Sequence, residues 1–431
     1  MSEEKKIGYR DIFRQKEYMK LLVAGLINVF GDSIDAIAFT WLVYQLTGNA
    51  AWSALVFGIN SLPTILVTPF AGVWVEGRNK KHIMIGTDIM RACCVLFVAL
   101  SYATERLQPW MLVATTILIS TVEAFRGPAD TALTPKVLDR EYLEYGLSLD
   151  GSLSRAVSII GTALAGGIIA LFGITGAIYI DIATFLASAG IIGFMRYQEE
   201  KVSPGAFSGK EYMRSLKDGV QYVRKSSTFM FFIAACVVLN ALLTPFNSLQ
   251  APLVEEVLQS GATMLSVISV AATGGIMFGS ISYPWVKNYL SARKLFGLCG
   301  FGICFYYILL VAGRPLYVYE LPAYVYAAVW TAFMGCFASW LMTFMNVEFI
   351  KKVNEEYLAR ASGILTAANV ASMPVMSFLI SAIIGFTGTV VILVGTGIIG
   401  GIICVFMARS RELDEMEGAG NPSGNEIEQT T

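Results

Sequence analysis

The sequence predicts an all-α integral membrane protein with twelve transmembrane helices, arranged as two six-helix bundles with both termini in the cytoplasm. Three observations predict this class: an apolar composition, twelve apolar segments of membrane-spanning length, and a strong asymmetry of positive charge. Of the 431 residues, 55% are hydrophobic and 15% are charged, whereas a soluble protein carries about 25% charged residues. The mean hydropathy of +0.61 agrees with a membrane protein.

The apolar segments are long enough to cross a bilayer, because a helix needs about 20 residues to span about 30 Å of hydrocarbon. They cover residues 21–46, 52–75, 82–103, 109–128, 146–171, 174–195, 229–250, 264–286, 295–313, 322–347, 362–384 and 389–408. Most connections between them are very short. They therefore leave no room for a soluble domain.

The segments divide the chain into five parts. These are an N-terminal arm (1–20), a first bundle (21–195), a linker (196–227), a second bundle (228–409) and a tail (410–431). From Gly209 to Lys225 the linker places apolar residues at helical spacing against Lys and Arg. This pattern predicts an amphipathic helix at the membrane surface or an ordinary solvated helix. The acidic tail is rich in Gly and Asn, which predicts disorder.

Positive charge fixes the orientation. The side that holds both termini and the linker carries 26 of the 31 Lys and Arg residues, and the opposite side carries two, Arg106 and Arg314. Cytoplasmic loops of membrane proteins carry such an excess. The arm, linker and tail are therefore predicted to be cytoplasmic, in a protein of the cell membrane.

The chain also contains an internal repeat. Gly48 precedes the Lys80-Lys81 pair by 32 residues, and Gly261 precedes Arg293-Lys294 by the same 32. The pattern Lys-x4-Glu-Tyr-Leu starts at Lys136 and again at Lys351, an offset of 215 residues. Two parallel halves of this kind are known in one large transporter fold, where the substrate site lies between them at mid-membrane.

Ionisable residues inside the apolar segments are the candidates for chemistry. Asp32 and Asp35 lie three residues apart in the first segment, so on a helix they share one face. An ionised Asp near mid-bilayer costs about 2.5–3.5 kcal/mol. We expect Asp32 to be the main proton-coupling acid, supported by Asp35 and Glu123, with Arg126 and Arg155 as candidate partners. In the alternative, Asp32 pairs with an arginine and only holds helices together.

The remaining charges are few. Asp88 and Arg91 lie three residues apart in the third segment, where they can pair on one face. The only histidine, His82, lies at the inner end of that segment, so a histidine relay is excluded. The second half offers mainly amide and aromatic side chains, which suit contact with an apolar substrate. Its substrate-cavity candidates are Asn240, Phe246, Trp330, Trp340 and Asn369.

The loop after the second segment carries the most specific motif. The stretch Gly72-Val-Trp-Val-Glu-Gly-Arg-Asn-Lys-Lys81 resembles the loop motif G-x-x-x-D-R/K-x-G-R-R/K of the major facilitator superfamily. Gly72, Lys80 and Lys81 match, Glu76 replaces Asp, and Gly77 and Asn79 depart from the motif. The resemblance implies the major facilitator fold. It also implies a cytoplasmic salt-bridge clasp between the halves, formed by Glu76, Arg78, Lys80, Lys81 and Asp130.

Other segments resemble macrolide-efflux and siderophore-export members of that superfamily. They are Gly31-Asp32, Leu46-Thr47-Gly48, the pattern from Phe125 to Pro135, Gly161 to Gly166, and Asp181-x3-Phe185. Antiporters of the superfamily often carry Pro where this chain has Thr162. The resemblance implies a bacterial secondary active transporter that exports an amphipathic, macrolide-like or siderophore-like compound against protons.

Other functions remain open. A metal-ion or lysolipid transporter has the same fold, and a non-transporting receptor or scaffold would not need Asp32 and Asp35. An enzyme is not expected, because G-x-S-x-G, H-E-x-x-H and phosphate-loop motifs are absent, and Glu355-Glu356-x3-Arg360 lacks the histidines that a metalloprotease needs. The seven cysteines lie in apolar segments without metal-ligand spacing. We expect a monomer without cofactor, metal or nucleic acid, whose partners are the bilayer, a small molecule and protons.

Overall fold

A computed structural model describes residues 12–76, 78–196, 224, 226–353 and 355–413. This part of the chain is built from eleven long helices, and it contains no strand. The helices are α1 Lys16–Thr47, α2 Ala50–Glu76, α3 Lys80–Ala103, α4 Pro109–Val137, α5 Leu143–Gly193, α6 Ser227–Ser248, α7 Ala262–Tyr289, α8 Ala292–Ala312, α9 Glu320–Lys352, α10 Glu355–Thr387 and α11 Thr389–Ala408. An irregular turn that includes a π-helix, Leu253–Val257, follows α6.

Each of the twelve predicted segments lies mainly in one of these helices. Segments 146–171 and 174–195 are joined in α5, which is broken at Gly173 (φ 71°, ψ 177°). Gly388 between α10 and α11 has nearly the same conformation (φ 80°, ψ 163°). Only glycine readily adopts this region of φ and ψ. The two glycines are 215 residues apart, which is the offset of the sequence repeat.

Ten of the described helices are long and apolar enough to cross a membrane. The exception among the long helices is α4, which carries Glu123, Arg126, Asp130 and Lys136. It also runs to Val137 through Pro128 and Pro135, nine residues beyond the predicted end of its segment. The helix tolerates these prolines although each removes one backbone hydrogen bond.

The chain divides into two compact units. Of the described residues, the first unit contains those up to Arg196 together with Ser260–Ser266, and the second contains the rest from Arg224 onward. In the first unit α1 packs on α5, α2 on α4, and α3 on both α4 and α5. Glycine permits the close approach of α1 and α5: a Cβ at Gly161 would lie 2.9 Å from Ser33 Cβ, and one at Gly31 would collide with Thr184.

The second unit repeats part of this pattern. Here α6 packs on α10, and α8 packs on α9 and α11. A Cβ at Gly279 would lie 2.7 Å from the Cys336 carbonyl oxygen, so glycine also brings α7 close to α9. The core includes the fully buried Tyr307, whose hydroxyl donates a hydrogen bond to the Leu242 carbonyl at 2.5 Å.

The described parts of the two termini and the linker differ in part from the prediction, and the rest of them lies outside the described residues. Helix α1 begins at Lys16, five residues before the predicted apolar segment, and Ile12 is fully buried against Tyr18 and Leu138. The described end of the predicted polar arm therefore belongs to the first unit. The predicted linker helix lies outside the described residues except for Arg224, and so does the tail beyond Leu413.

Candidate functional site

Two ion pairs join three helices inside the first unit. Arg91 on α3 donates from Nη2 to Asp32 Oδ1 on α1 at 2.5 Å. Arg126 on α4 donates from Nε to Asp88 Oδ1 on α3 at 2.7 Å. The suggested pairing of Asp88 with Arg91 within α3 is therefore wrong. Both side chains point into the unit, and each meets an opposite charge on a different helix.

Asp88 is the most completely bonded charge in this region. Its side chain is 0% exposed, and besides Arg126 it accepts from Asn28 Nδ2 at 3.0 Å and from Ser188 Oγ at 2.6 Å. These donors come from α1, α4 and α5. A buried carboxylate is stable only when it is paired and hydrogen-bonded in this way. Asp88 and these three donors, called the Asp88 group below, therefore hold four helices together.

The two partners of the Asp32–Arg91 ion pair are buried to different extents. The Arg91 side chain is 6% exposed, whereas the Asp32 side chain is 39% exposed. The Arg91 guanidinium lies 4.2 Å from the centre of the Phe185 ring, a cation–π contact. Its Nε is buried and donates to no described residue. The cation thus has an accessible acid on one side and an unused donor inside the protein.

Further acids surround Arg91. Asp35, one turn beyond Asp32, interacts electrostatically with both Arg91 and Asp32. Glu123 on α4 is exposed and also acts on Arg91 and Asp32. Of the five proton-coupling candidates, the structure therefore gathers Asp32, Asp35, Glu123 and Arg126 around α3. Arg155 is exposed and forms no ion pair with a described residue.

Asp181 on α5 is a further acid of this region, which the sequence did not single out as a site residue. It is 0% exposed, and neither carboxylate oxygen has a hydrogen-bond partner among the described residues. The nearby Thr184 hydroxyl donates instead to the Asp181 backbone carbonyl at 2.7 Å. The charges that act on Asp181 are Asp35, Asp32 and Arg91. The sequence could have indicated this site residue, because Asp181 is an acid within an apolar segment.

The loop between α2 and α3 places Arg78 at the edge of a crevice. The Arg78 guanidinium lies 3.8 Å from the centre of the exposed Trp74 ring. The crevice has a volume of about 650 Å³, and its lining includes His82 and Phe125. Arg78 forms no salt bridge with any side chain that the structure describes.

Lys81 holds the end of α5. Its Nζ donates to the carbonyl oxygens of Gly193 at 2.8 Å and Met195 at 2.7 Å. Lys20 on α1 donates to the Phe194 carbonyl oxygen at 3.0 Å. Lysine side chains favour helix carboxyl ends because they satisfy free carbonyls and complement the helix dipole. Glu17 continues the arrangement by accepting from the Arg196 backbone N–H at 2.7 Å.

The structure describes three of the other clasp candidates, Gly72, Lys80 and Asp130. Gly72 lies in α2 with open space where a Cβ would stand. Lys80 is 3% exposed at the start of α3. Asp130 on α4 interacts electrostatically with Arg126. The Glu76 side chain lies outside the described residues, and the clasp stays a prediction.

Two of the substrate-cavity candidates in the second unit meet. Asn240 on α6 donates from Nδ2 to Asn369 Oδ1 on α10 at 3.1 Å, and also to the Cys236 carbonyl oxygen at 3.0 Å. Phe246 is 4% exposed, and its ring centre lies 6.0 Å from that of Tyr306. Phe246 is therefore part of the core of this unit.

Trp330 and Trp340 belong to an aromatic ladder along α9. Successive ring centres lie 6.0 Å apart for Trp330–Phe333, 6.4 Å for Phe333–Phe337 and 5.7 Å for Phe337–Trp340. Trp340 Nε1 donates to Ser282 Oγ at 2.9 Å, which anchors one end of the ladder. Phe333 is 49% exposed. The other three rings of the ladder, Trp330, Phe337 and Trp340, are half-buried.

The model of the transmembrane secretion effector family matches residues 11–423. Macrolide efflux protein A of Streptococcus pyogenes is 20% identical over 407 residues, 90% of this chain and 95% of that protein. The multidrug efflux pump Tap of Mycolicibacterium fortuitum is 22% identical over 408 residues, 91% of this chain and 96% of that protein.

A shorter match is found with the uncharacterized MFS-type transporter YvqJ of Bacillus subtilis (strain 168). It is 21% identical over 275 residues, which is 63% of this chain, and the chain spans 65% of that relative's length.

Solved structures with the same fold include the nucleoside transporter NupG (D323A mutant), with a TM-score of 0.73 and 12% identity over 91% of this chain and 99% of that one. A bacterial homologue of the iron transporter ferroportin, in the inward-facing state, has a TM-score of 0.69 and 13% identity over 92% and 99%. At these identities the likeness shows the fold alone.

Proposed function

The chain belongs to the transmembrane secretion effector family of major facilitator transporters, and we propose that it exports an amphipathic, drug-like compound in exchange for protons. In this proposal twelve transmembrane helices form two six-helix bundles in a bacterial cell membrane, with both termini cytoplasmic. The bundles alternate access to a substrate site, and the chain works as a monomer. The clasp residues near Lys81 favour one of the alternating states.

One observation carries the proton coupling: carboxyl groups outnumber cations around Arg91. Asp32, Asp35, Glu123 and Asp181 all act on this one guanidinium or on each other. A single cation neutralises one carboxylate, and each further ionised carboxylate in a membrane interior is costly. Protons are the natural counter-charge for the surplus acids. Arg126 is committed to Asp88 and contributes architecture.

Asp32 is the proposed coupling acid, because it is the partner of Arg91 that remains 39% exposed. Protonation of Asp32 removes the charge that Arg91 binds and frees the cation to move. Each proton that moves inward gains about 2.3 kcal/mol per 100 mV of membrane potential. Asp35 and Glu123 supply further carboxyl groups near the same cation, and Arg155 is a candidate partner in another state.

The substrate class rests on the second unit and on the relatives. The Asn240–Asn369 pair offers amide groups for hydrogen bonds, and the ladder from Trp330 to Trp340 offers stacking surface. The printed names of two relatives refer to macrolide and multidrug efflux. A macrolide-like or siderophore-like compound fits both observations, because it combines apolar bulk with hydrogen-bonding groups.

Proteoliposomes with an imposed pH gradient test the proposal. Wild-type protein is expected to transport a radiolabelled macrolide at least tenfold faster with the gradient than without it. Asp32→Asn is expected to lose this acceleration, while Asp150→Asn, an acid on α5 outside the cluster, keeps it. Transport that ignores the gradient and survives Asp32→Asn contradicts proton exchange.

The same vesicles separate the alternatives. Movement of ferrous iron or of a lysolipid, without movement of macrolide or siderophore, would favour a metal-ion or lysolipid transporter. Failure to move any of these compounds, with function in cells preserved in an Asp32→Asn and Asp35→Asn double variant, would favour a receptor or scaffold.

A further inference from the structure

We propose that Asp181 is a second proton-binding site, which holds its proton in the state seen here while Arg91 is paired with Asp32. The role in transport rests on the proposed function, but occupancy of the site by a proton does not. Three properties of the position carry the inference: complete burial, two carboxyl oxygens without a hydrogen-bond partner among the described residues, and a position beside a shared cation.

Burial comes first. The Asp181 side chain is 0% exposed, and neither oxygen has a hydrogen-bond partner among the described residues. The Thr184 hydroxyl lies near the carboxyl group, but it donates to the Asp181 backbone carbonyl. Moving an isolated carboxylate out of water costs several kcal/mol even after the protein relaxes. The neutral acid avoids most of this cost. Asp88 is equally buried but has three side-chain donors, so it has the environment of an ionised carboxylate.

The close fit between α1 and α5 keeps the position closed. A Cβ at Gly31 would lie 2.7 Å from Asp181 Oδ1, so only the bare glycine backbone lets α1 lie against this carboxyl group. Phe185, one turn further along α5, is 2% exposed, so the next turn of the helix is also buried. The carboxyl group is thus enclosed by protein.

The charged groups on the helices packed against α5 determine whether Asp181 has a counter-charge. From α1, Asp32 and Asp35 act on Asp181, and both are acids. From α3, Arg91 acts on it, whereas Asp88 is already bound to Arg126. Glu123 of α4 acts on Arg91. Among the described residues, the one cation that acts on Asp181 is therefore already held by Asp32.

This arrangement links the two acids through Arg91. The Arg91 Nε is buried and has no acceptor among the described residues. When Asp181 loses its proton, it becomes an anion that competes with Asp32 for the guanidinium. When Asp32 takes up a proton, Arg91 is released toward Asp181. Proton occupancy of the two carboxyl groups is therefore expected to alternate around one cation.

Infrared spectroscopy of the purified full-length protein tests the site directly. At neutral pH the wild type is expected to show the carbonyl band of a protonated carboxyl group that is absent from Asp181→Asn. Asp150→Asn, the same substitution elsewhere on α5, is expected to keep the band. If the wild-type and Asp181→Asn spectra agree in this region, Asp181 is ionised and the inference is wrong.

Folding and transport provide the remaining controls. Asp181→Asn and the smaller Asp181→Ser are expected to give monodisperse, helical protein, because neither removes a charge that the structure uses. Loss of folding in both variants would mean that an Asp181 carboxylate holds the unit together, which contradicts the inference. In proteoliposomes, Asp181→Asn is expected to reduce gradient-driven transport at least tenfold and to retain substrate exchange without a gradient.

The two proposals fail differently. A wild-type protein that ignores the pH gradient but shows the Asp181 band contradicts proton-coupled export and leaves the proton site in place. A wild type that follows the gradient without an Asp181 band contradicts only the second proton site.

Discussion

Arg126 Nε donates to Asp88 Oδ1 at 2.7 Å within the first unit, and the acceptor is 0% exposed. Removing one partner of a buried ion pair costs about 3–5 kcal/mol, because the other charge stays buried without compensation. Arg126→Gln is therefore expected to lower the free energy of unfolding by about that amount. Thermal unfolding in detergent measures it.

The control for this prediction is Arg106→Gln, which alters an exposed arginine. It is expected to change the stability by less than about 0.5 kcal/mol. Equal effects of the two substitutions would mean that the Asp88 group does not stabilise the unit.

Arg91→Lys separates charge from shape in the candidate site. Lysine keeps the positive charge but loses the planar guanidinium, which stacks on Phe185 at 4.2 Å and carries a second donor direction. We expect gradient-driven transport to fall at least tenfold while the protein stays folded. Arg106→Lys is the matched control. Unchanged transport by Arg91→Lys would show that a point charge suffices.

Gly173 and Gly388 are predicted to be intolerant of any side chain. Their φ values of 71° and 80° lie where non-glycine residues are strained, at about 1–3 kcal/mol for each residue. Gly173→Ala and Gly388→Ala are each expected to lower the unfolding temperature. Gly167→Ala is the control, because that glycine lies in α5 with open space around a Cβ. A small loss at Gly173 or Gly388 no larger than at Gly167 would contradict the strain.

Glu412 gives a pH dependence outside the apolar helices. Hydrogen bonds from the Ser410 and Ser227 hydroxyls hold the pKa of this carboxyl group below its usual range, and the Ser227 contact is 2.7 Å long. A lowered pKa means that the carboxylate stabilises the fold above the pKa of the unfolded chain, about 4.3. That contribution disappears as the pH falls through the folded value.

We therefore expect hydrogen exchange at the start of α6, near Ser227, to increase when the pH is lowered from about 6 to about 3. The rates must first be corrected for the intrinsic effect of pH. Glu412→Gln is expected to show the faster corrected exchange at both pH values. A wild type whose corrected rates do not change with pH would contradict the role of the carboxylate.

The positions of the helices could be predicted from the sequence because a membrane demands long apolar segments whatever their partners. The predicted segment 389–408 coincides with α11. The ends of the helices were harder to predict where a helix extends beyond its apolar segment. Helix α4 continues through Pro128 and Pro135, and α10 begins at Glu355, seven residues before its predicted segment. Polar helical turns outside the hydrocarbon carry no hydropathy signal.

The pairing of charges was not predictable in the same way. Spacing shows that Asp88 and Arg91 share a face of α3, but it does not show which helices that face meets. Asn28 and Ser188 were missed because neutral polar residues are common in apolar helices. The isolation of Asp181 depends on how closely α1 approaches at Gly31, which only the packing reveals.

The contacts at the end of α5 have a mechanical consequence. Lys20 and Glu17 of α1 and Lys81 of α3 grip the backbone from Gly193 to Arg196. Movement of the end of α5 therefore has to break these contacts or to move α1 and α3 with it, and these are the two helices that carry Asp32 and Arg91.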